Sequence, residues 1–96
     1  MLDECRKTID AIDTEILTLL NRRATIAKKI GAIKLQAGLP VVDPSREREV
    51  LQKIVRENEG SIGDDAAARI YSEIIRQTRQ IQIEQANEVA RNGHYR

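Results

Sequence analysis

Aromatic residues, cysteine and proline are scarce in this chain of 96 residues, which has no Trp or Phe, two Tyr, one Cys and two Pro. A sheet protein is therefore not expected, and a single thiol excludes an internal disulfide. Charges of opposite sign nearly balance, with 16 Lys and Arg against 15 Asp and Glu. This balance gives no general attraction for nucleic acid or for a membrane surface.

Long apolar runs are missing as well. Because there is no basic segment followed by an apolar one and no run of 18 apolar residues, we expect neither a signal peptide nor a membrane span, and the cytoplasm is the expected location. What is present instead is 32% charged and 41% hydrophobic residues, the latter mostly Ala, Ile and Leu. This composition predicts an all-α protein.

The longest pattern is an apolar stripe between Leu2 and about Ala37. Steps of three and four residues place its members on one face of an α-helix; they are Leu2, Cys5, Ile9, Ile12, Ile16, Leu19, Ile26, Ile30 and Ile33. Such a helix extends for ~54 Å, nearly twice the diameter of a small domain. The remaining chain is too short to cover it, so the stripe predicts a second copy and a two-fold homodimer. Cys5 is interpreted as a small core residue of the stripe.

A second helix is predicted from about Pro44 to Asn58. Gly38 suits the left-handed position that follows the first helix. The pair Asp43-Pro44 is typical of an N-cap followed by proline at the first helical position.

A third helix is predicted to begin around Ser61 and Asp64, which resemble a capping box, and to continue to about Ala90. Residues 1–90 would then form one three-helix domain. Residues 91–96 are expected to be a polar tail that frays.

Polar residues interrupt the apolar faces of all three helices. Arg23 occupies a stripe position, where it either binds an anion or sets the register of a coiled coil. Glu47 is either a solvated first-turn acid or a ligand contact. Thr78 and Gln82 lie one turn apart, and they form either a satisfied interface pair or a ligand-facing pair.

Together these polar residues predict a cationic pocket between the three helices. Arg23 and Lys34 differ by ~20° of rotation and ~16 Å of rise along one helix, so both side chains can reach one small dianion, such as a dicarboxylate. The sequence has no nucleophile paired with a base, no metal-ligand cluster and no glycine loop for phosphate. The residues that covalent catalysis, hydrolysis or nucleotide binding would require are therefore missing from the sequence.

Six segments of the chain have an informative order and spacing. They are Arg6 with Ile9, Ile12 and Asp13; Leu19 to Arg23; Ile30 to Lys34; Val41 to Glu49; Ile70 to Ile75; and Thr78 to Gln82. Together they resemble the all-helical class of chorismate mutases over nearly the whole chain. The resemblance implies three helices per protomer, an intertwined antiparallel homodimer, and conversion of chorismate to prephenate in phenylalanine and tyrosine biosynthesis, without any cofactor.

The same resemblance implies how the substrate is held. Arg23 binds one substrate carboxylate, and Arg6 of the partner chain binds the other. Lys34 contacts a carboxylate and the ether oxygen, and Gln82 contacts that same oxygen. Conformational restriction and stabilisation of the charge on this oxygen would then drive the reaction.

Three further positions complete the implied site. Glu47 accepts a hydrogen bond from the ring hydroxyl, and the backbone around Asp43 assists. Thr78 stands where many members of the family have Ser, so its contact with a carboxylate is a departure from the pattern. Arg46 matches a family arginine for which no direct contact is predicted.

Two other functions stay open at this point. One is an isochorismate pyruvate-lyase of the same fold, although the segment from Val42 to Glu47 favours the mutase. The other is a helical dimerisation module without catalysis, since such domains also occur fused to other enzymes of the pathway. A helix-turn-helix DNA binder is disfavoured by the balanced charge.

Overall fold

The computed structural model describes residues 1–93, which form three α-helices. They are α1 (Leu2–Ala37), α2 (Pro44–Glu57) and α3 (Asp64–Asn92). The predicted all-α fold with one very long first helix is confirmed. Within residues 1–93, none of the helices is both long enough and apolar enough to cross a membrane.

Helix α1 ends where the sequence predicts, at a glycine in the left-handed conformation. Gly38 has φ 69°, which an L side chain rarely adopts. Its N–H donates to the carbonyl of Leu35, and the N–H of Leu39 donates to the carbonyl of Lys34 at 2.8 Å. The last carbonyls of the helix are therefore satisfied before the chain turns towards α2.

The predicted start of α2 is also confirmed. The side chain of Asp43 accepts a hydrogen bond from the backbone N–H of Arg46 at 3.0 Å, and Pro44 is the first helical residue. The helix ends at Glu57, one residue before the predicted end at Asn58.

The predicted capping box of α3 is wrong. The N-cap of this helix is Gly63, and no side chain caps it. The side chain of Asn58 instead donates to the carboxylate of Asp64 at 2.8 Å and to the carbonyl of Ile62 at 2.7 Å. Because Asp64 is used by the end of α2, it does not reach back to Ser61.

At its other end, α3 continues two residues beyond the predicted Ala90. It stops at Asn92, and Gly93 has φ 74°. The first two residues of the predicted tail are therefore helical. The rest of that tail, residues 94–96, lies outside the described part of the chain.

Helix α3 packs against both α1 and α2. Hydrogen bonds join Arg23 to Thr78, Ala27 to Gln82 and Lys28 to Gln85, so residue numbers increase together along α1 and α3. These two helices are parallel, and α2 runs in the opposite direction along α3. The side chains that point into the space between the helices form the site described below.

The core of one protomer is small. Among residues 1–93, Ala27 and Ile75 are the only buried apolar side chains. All of residues 1–22 are exposed, including Ile9 at 56% and Leu19 at 57% of their surface. The stripe of α1 is thus uncovered in a single protomer. The side chain of Cys5 is exposed like the rest of the stripe, so a single protomer does not bury it.

Candidate active site

A cavity of about 250 Å³ lies where the three helices meet. Its polar lining combines residues of all three helices and of the α1–α2 connection: Arg23, Lys34, Asp43, Arg46, Glu47, Thr78, Arg79 and Gln82. Apolar side chains such as Ile30, Val50 and Ile75 form the remaining walls. Six of the seven residues that the sequence predicts for the site therefore line one cavity.

The seventh predicted residue, Arg6, is far from this cavity. It lies on α1, 28 residues before Lys34. This separation corresponds to ~42 Å along a straight helix. Arg6 of one chain therefore cannot contact a small molecule that Lys34 of the same chain holds.

Arg23 is held by a neutral partner. Its Nη1 donates to the hydroxyl of Thr78 at 2.6 Å, and that hydroxyl donates to the carbonyl of Ile74 at 2.9 Å. Among residues 1–93, no carboxylate forms an ion pair with Arg23. The guanidinium is oriented by α3, while its positive charge stays available for an anion.

Lys34 is anchored by the connection between α1 and α2. Its Nζ donates to the carbonyl of Val41 at 3.1 Å, and the side chain is partly buried. An ammonium group has three donors, so two remain for a ligand. The contact keeps the charge at the cavity wall rather than in bulk water.

Gln82 is a buried polar residue with 8% of its surface exposed. Its Nε2 donates to the carbonyl of Ala27 at 2.8 Å, which links α3 to α1. Because an amide nitrogen carries two hydrogens, the second N–H can still point into the cavity. The two interpretations of Gln82, interface contact and ligand contact, are therefore compatible.

Glu47 is paired across the helix interface. Arg79 Nε and Nη2 donate to its two carboxylate oxygens at 3.0 and 2.9 Å. The hydrogen bond from Arg79 lowers the pKa of Glu47, against an opposing effect of partial burial. The carboxylate is thus ionised and accepts hydrogen bonds at neutral pH. The interpretation of Glu47 as a freely solvated acid in the first turn of α2 is therefore wrong.

Arg79 was missed by the sequence analysis. It follows Ile75 by four residues and precedes Gln82 by three, so all three share one face of α3. That spacing was the available signal. It was weak because exposed arginines are common on helices, and nothing in the sequence set the register of α3 against α2.

Asp43 and Arg46 are exposed residues that line the cavity. The carboxylate of Asp43 is used as the N-cap of α2, so it contributes mainly by fixing the start of this helix. The guanidinium of Arg46 pairs with Glu49 on the exposed side of α2.

The charges in the cavity are unequal. Four cationic side chains, Arg23, Lys34, Arg46 and Arg79, share it with two carboxylates, those of Asp43 and Glu47. Arg46 and Arg79 pair with Glu49 and Glu47, so Arg23 and Lys34 are the two cations of the cavity without an ion pair among residues 1–93. Two such cations suit a small dianion. The lysine ammonium and the amide N–H can also stabilise an oxygen that becomes negative during a reaction. The fold and the cavity thus define an all-helical protein with a cationic cavity whose charge suits a small dicarboxylate.

Comparison with known proteins identifies the family. The sequence profile of chorismate mutase type II matches residues 5–83. The chain belongs to this family, whose activity is that of an isomerase.

Named relatives agree with this assignment. The chain is 53% identical over 78 residues to a bifunctional chorismate mutase/prephenate dehydratase of Aquifex aeolicus, an alignment that covers 77% of this chain and 22% of that protein. It is 34% identical over 82 residues to a chorismate mutase of Methanocaldococcus jannaschii, covering 84% of this chain and 83% of that one.

Solved structures show the same fold. A chorismate mutase structure (Form II) from Thermus thermophilus superimposes with a TM-score of 0.85 at 32% sequence identity. The match covers 88% of this chain and 96% of that one. The prediction of an all-helical chorismate mutase is therefore confirmed.

Proposed function

We propose that this chain catalyses the rearrangement of chorismate to prephenate in the cavity between its three helices. The observation that carries the proposal is the presence in that cavity of two cations, Arg23 and Lys34, that form no ion pair among residues 1–93. Chorismate has two carboxylates, so its charge matches that of these two side chains. Membership of the chorismate mutase family gives the same answer independently.

The proposed mechanism uses position and charge, because the reaction breaks and forms bonds within one molecule. Arg23 binds one carboxylate and so selects the folded conformer in which the reacting carbons are close. Lys34 and the free N–H of Gln82 donate to the ether oxygen. Negative charge grows there as the C–O bond breaks, and prearranged donors stabilise it without reorganisation.

Two other residues orient the ring and the arginine that binds the first carboxylate. Glu47, as an ionised acceptor, receives a hydrogen bond from the ring hydroxyl, next to the backbone around Asp43. Thr78 accepts a hydrogen bond from Arg23 at 2.6 Å and donates its own hydrogen to the carbonyl of Ile74, so it orients the guanidinium that binds the carboxylate. No step in this scheme requires a cofactor.

The proposed active unit is an intertwined homodimer in which Arg6 of the partner completes each site. A groove of about 530 Å³ runs beside the cavity between α1 and α3. It is lined by apolar side chains, including Ile16, Leu20, Ile70, Ile74 and Ile81. Arg23 and Thr78 line both the groove and the cavity. A helix lying in the groove would thus adjoin the substrate.

The exposed stripe of α1 supports the same arrangement, because a second α1 is a helix of suitable length with an apolar stripe along one face. If the two copies are antiparallel and the partner's Arg6 is level with the interval from Arg23 to Lys34, the two-fold axis crosses α1 near Ile16 or Leu17. Ile16 is one of the residues that line the groove. The shared site and the intertwined dimer are proposals that rest on the geometry of this single chain.

The activity is tested by incubating the purified chain with chorismate and identifying the product. Loss of the substrate absorbance with formation of prephenate supports the proposal. Release of pyruvate from isochorismate would indicate the lyase, and no reaction with either substrate would indicate a dimerisation module. Arg23→Ala should abolish most of the activity, whereas Arg22→Ala, an exposed neighbour, serves as the matched control.

The shared site is tested by mixing two inactive variants, Arg6→Ala and Lys34→Ala. Each heterodimer would contain one intact site, so about a quarter of the wild-type activity should return after random exchange of subunits. Lys7→Ala, which removes the neighbouring charge, should be active by itself. If activity does not return after exchange is confirmed by mass spectrometry, the shared site is wrong.

Some features stay predictions from the sequence alone. These are the cytoplasmic location, the division into a domain of residues 1–90 with a polar tail, and the lack of a nucleic-acid partner.

A further inference from the structure

We propose that Arg79 is a positioning residue, which holds the Glu47 carboxylate so that it accepts a hydrogen bond from the substrate hydroxyl. This inference rests on the proposed function, because that function supplies the hydroxyl. It adds a residue to the site that the resemblance to the family did not assign here.

Arg79 and Glu47 form a bidentate ion pair. Two N–H groups of Arg79 meet the two oxygens of Glu47 at 3.0 and 2.9 Å, and a bidentate contact of this kind fixes the plane of the carboxylate. The contact joins α2 to α3, and the two residues are 32 positions apart in the sequence. Both side chains line the cavity. The remaining lone pairs of Glu47 can therefore be directed into the cavity.

The location distinguishes this pair from an ordinary surface contact. The side chains of Arg79 and Glu47 are 36% and 25% exposed. Arg76 and Glu73 form a similar bidentate pair one turn earlier on α3, at 2.8 and 2.6 Å, but they are 60% and 56% exposed. Arg76 does not line the cavity. The chain thus provides a matched control with the same residue types on the same helix.

Glu47 has several charged neighbours. The charged groups that line the same cavity are Arg23 and Lys34 of α1, Asp43 of the connection, Arg46 of α2 and Arg79 of α3. The hydrogen bond from Arg79 is the largest influence and lowers the pKa of Glu47, while burial and Asp43 raise it and Lys34 lowers it slightly. Without Arg79 the carboxyl would take up a proton at a higher pH than in the wild type, and in that acidic range it would no longer be only an acceptor.

The first test compares two substitutions on α3. Arg79→Gln should lower kcat/KM by about tenfold to a hundredfold, the scale on which a misplaced contact group reduces a rate. Arg76→Gln should change it by less than about twofold, since exposed pairs contribute little. Helicity measured by circular dichroism confirms that each variant is folded. Arg79→Lys keeps the charge but cannot make the bidentate contact, so its activity should lie between those of Arg79→Gln and the wild type.

The second test asks whether Arg79 acts through Glu47. In the background of Glu47→Gln, the further change Arg79→Gln should cost little, because the group that Arg79 positions is already altered. If the two losses multiply instead, Arg79 contacts the substrate directly and the inference is overturned.

The third test does not need catalysis. Titration of the Glu47 carboxyl carbon by NMR should give a low pKa in the wild type, a higher one in Arg79→Gln and an unchanged one in Arg76→Gln. The acidic limb of the profile of kcat/KM against pH should shift to higher pH in Arg79→Gln and should not shift in Arg76→Gln. An unchanged pKa of Glu47 in Arg79→Gln refutes the positioning role. A wild-type chain that does not convert chorismate refutes the proposed function instead, and the titration still decides whether the pair exists.

Discussion

Replacing Gln82 by Glu makes the activity of the enzyme depend on one added proton. The two side chains have nearly the same size, so the substitution changes chemistry with little change in packing. Gln82 is 8% exposed, and its Nε2 donates to the carbonyl of Ala27 at 2.8 Å. An ionised carboxylate cannot donate to this carbonyl or to the ether oxygen of the substrate. Only the protonated acid can replace one of the two N–H groups.

The expected magnitude follows from these contacts. Burial and the adjacent carbonyl of Ala27 raise the pKa of the new carboxyl above its ordinary value of ~4.3, whereas Arg23 and Lys34 in the same cavity oppose the rise. Above this pKa, kcat/KM should fall by about tenfold per pH unit as the protonated fraction falls. The fall should end when the donor is fully lost, at about 10² to 10³ below wild type.

The assay is kcat/KM measured from about pH 5 to pH 8 for Gln82→Glu and for the wild type. The wild type should have no acid in the site that titrates over this range, because an amide donates at any ordinary pH. Gln80→Glu, on the exposed side of α3, is the control for an added charge. A Gln82→Glu variant with wild-type activity and a flat profile would show that Gln82 does not face the ether oxygen. It would then be an interface residue only.

Three further outcomes are expected. Lys34→Ala should lower kcat by at least about 10² to 10³ because it removes a charged donor, whereas Thr78→Ala should lower it much less; equal small effects in steady-state kinetics would contradict the proposed site. Gly31→Ala should stabilise by about 0.5–1 kcal/mol in a Gln85→Ala background but by less in the wild type, because there the added Cβ displaces the end of the Gln85 side chain. Equal shifts in urea unfolding at one protein concentration would exclude this coupling. Because the pKa of Glu47 is lowered on folding, its stabilising effect is complete above the unfolded value of 4.5 and is lost as the pH falls through the lower folded value. The melting temperature of Glu47→Gln should therefore fall less between pH 6 and pH 3 than that of the wild type, and equal falls would contradict this.

The elements of the fold were predictable because each depends on neighbours in sequence. The stripe of α1 repeats every three or four residues, Gly38 ends that helix, and Asp43-Pro44 begins the next one. Helix periodicity and caps involve groups within about one turn of each other. The capping box predicted at Ser61 failed because Asn58, from the end of the preceding helix, competes for Asp64.

The candidate site was predictable only as a set of residues that face inward. Periodicity placed Arg23, Lys34, Thr78 and Gln82 on inward faces, and three packed helices brought them to one cavity. It could not supply their hydrogen-bond partners. That Gln82 uses one N–H on the carbonyl of Ala27 depends on how far α3 approaches α1, which no local pattern contains.

The sequence by itself determined the helices and their inward faces, and it predicts a partner along α1 and a dianionic ligand, because periodicity, caps and charge are properties of neighbouring residues. The tertiary structure decided which side chains meet. Arg79 joins Glu47 across 32 residues, and Gly31 lets α1 approach Gln85 of α3. Such contacts depend on the register and separation of packed helices. These are set by the summed fit of many side chains, and no single motif contains them.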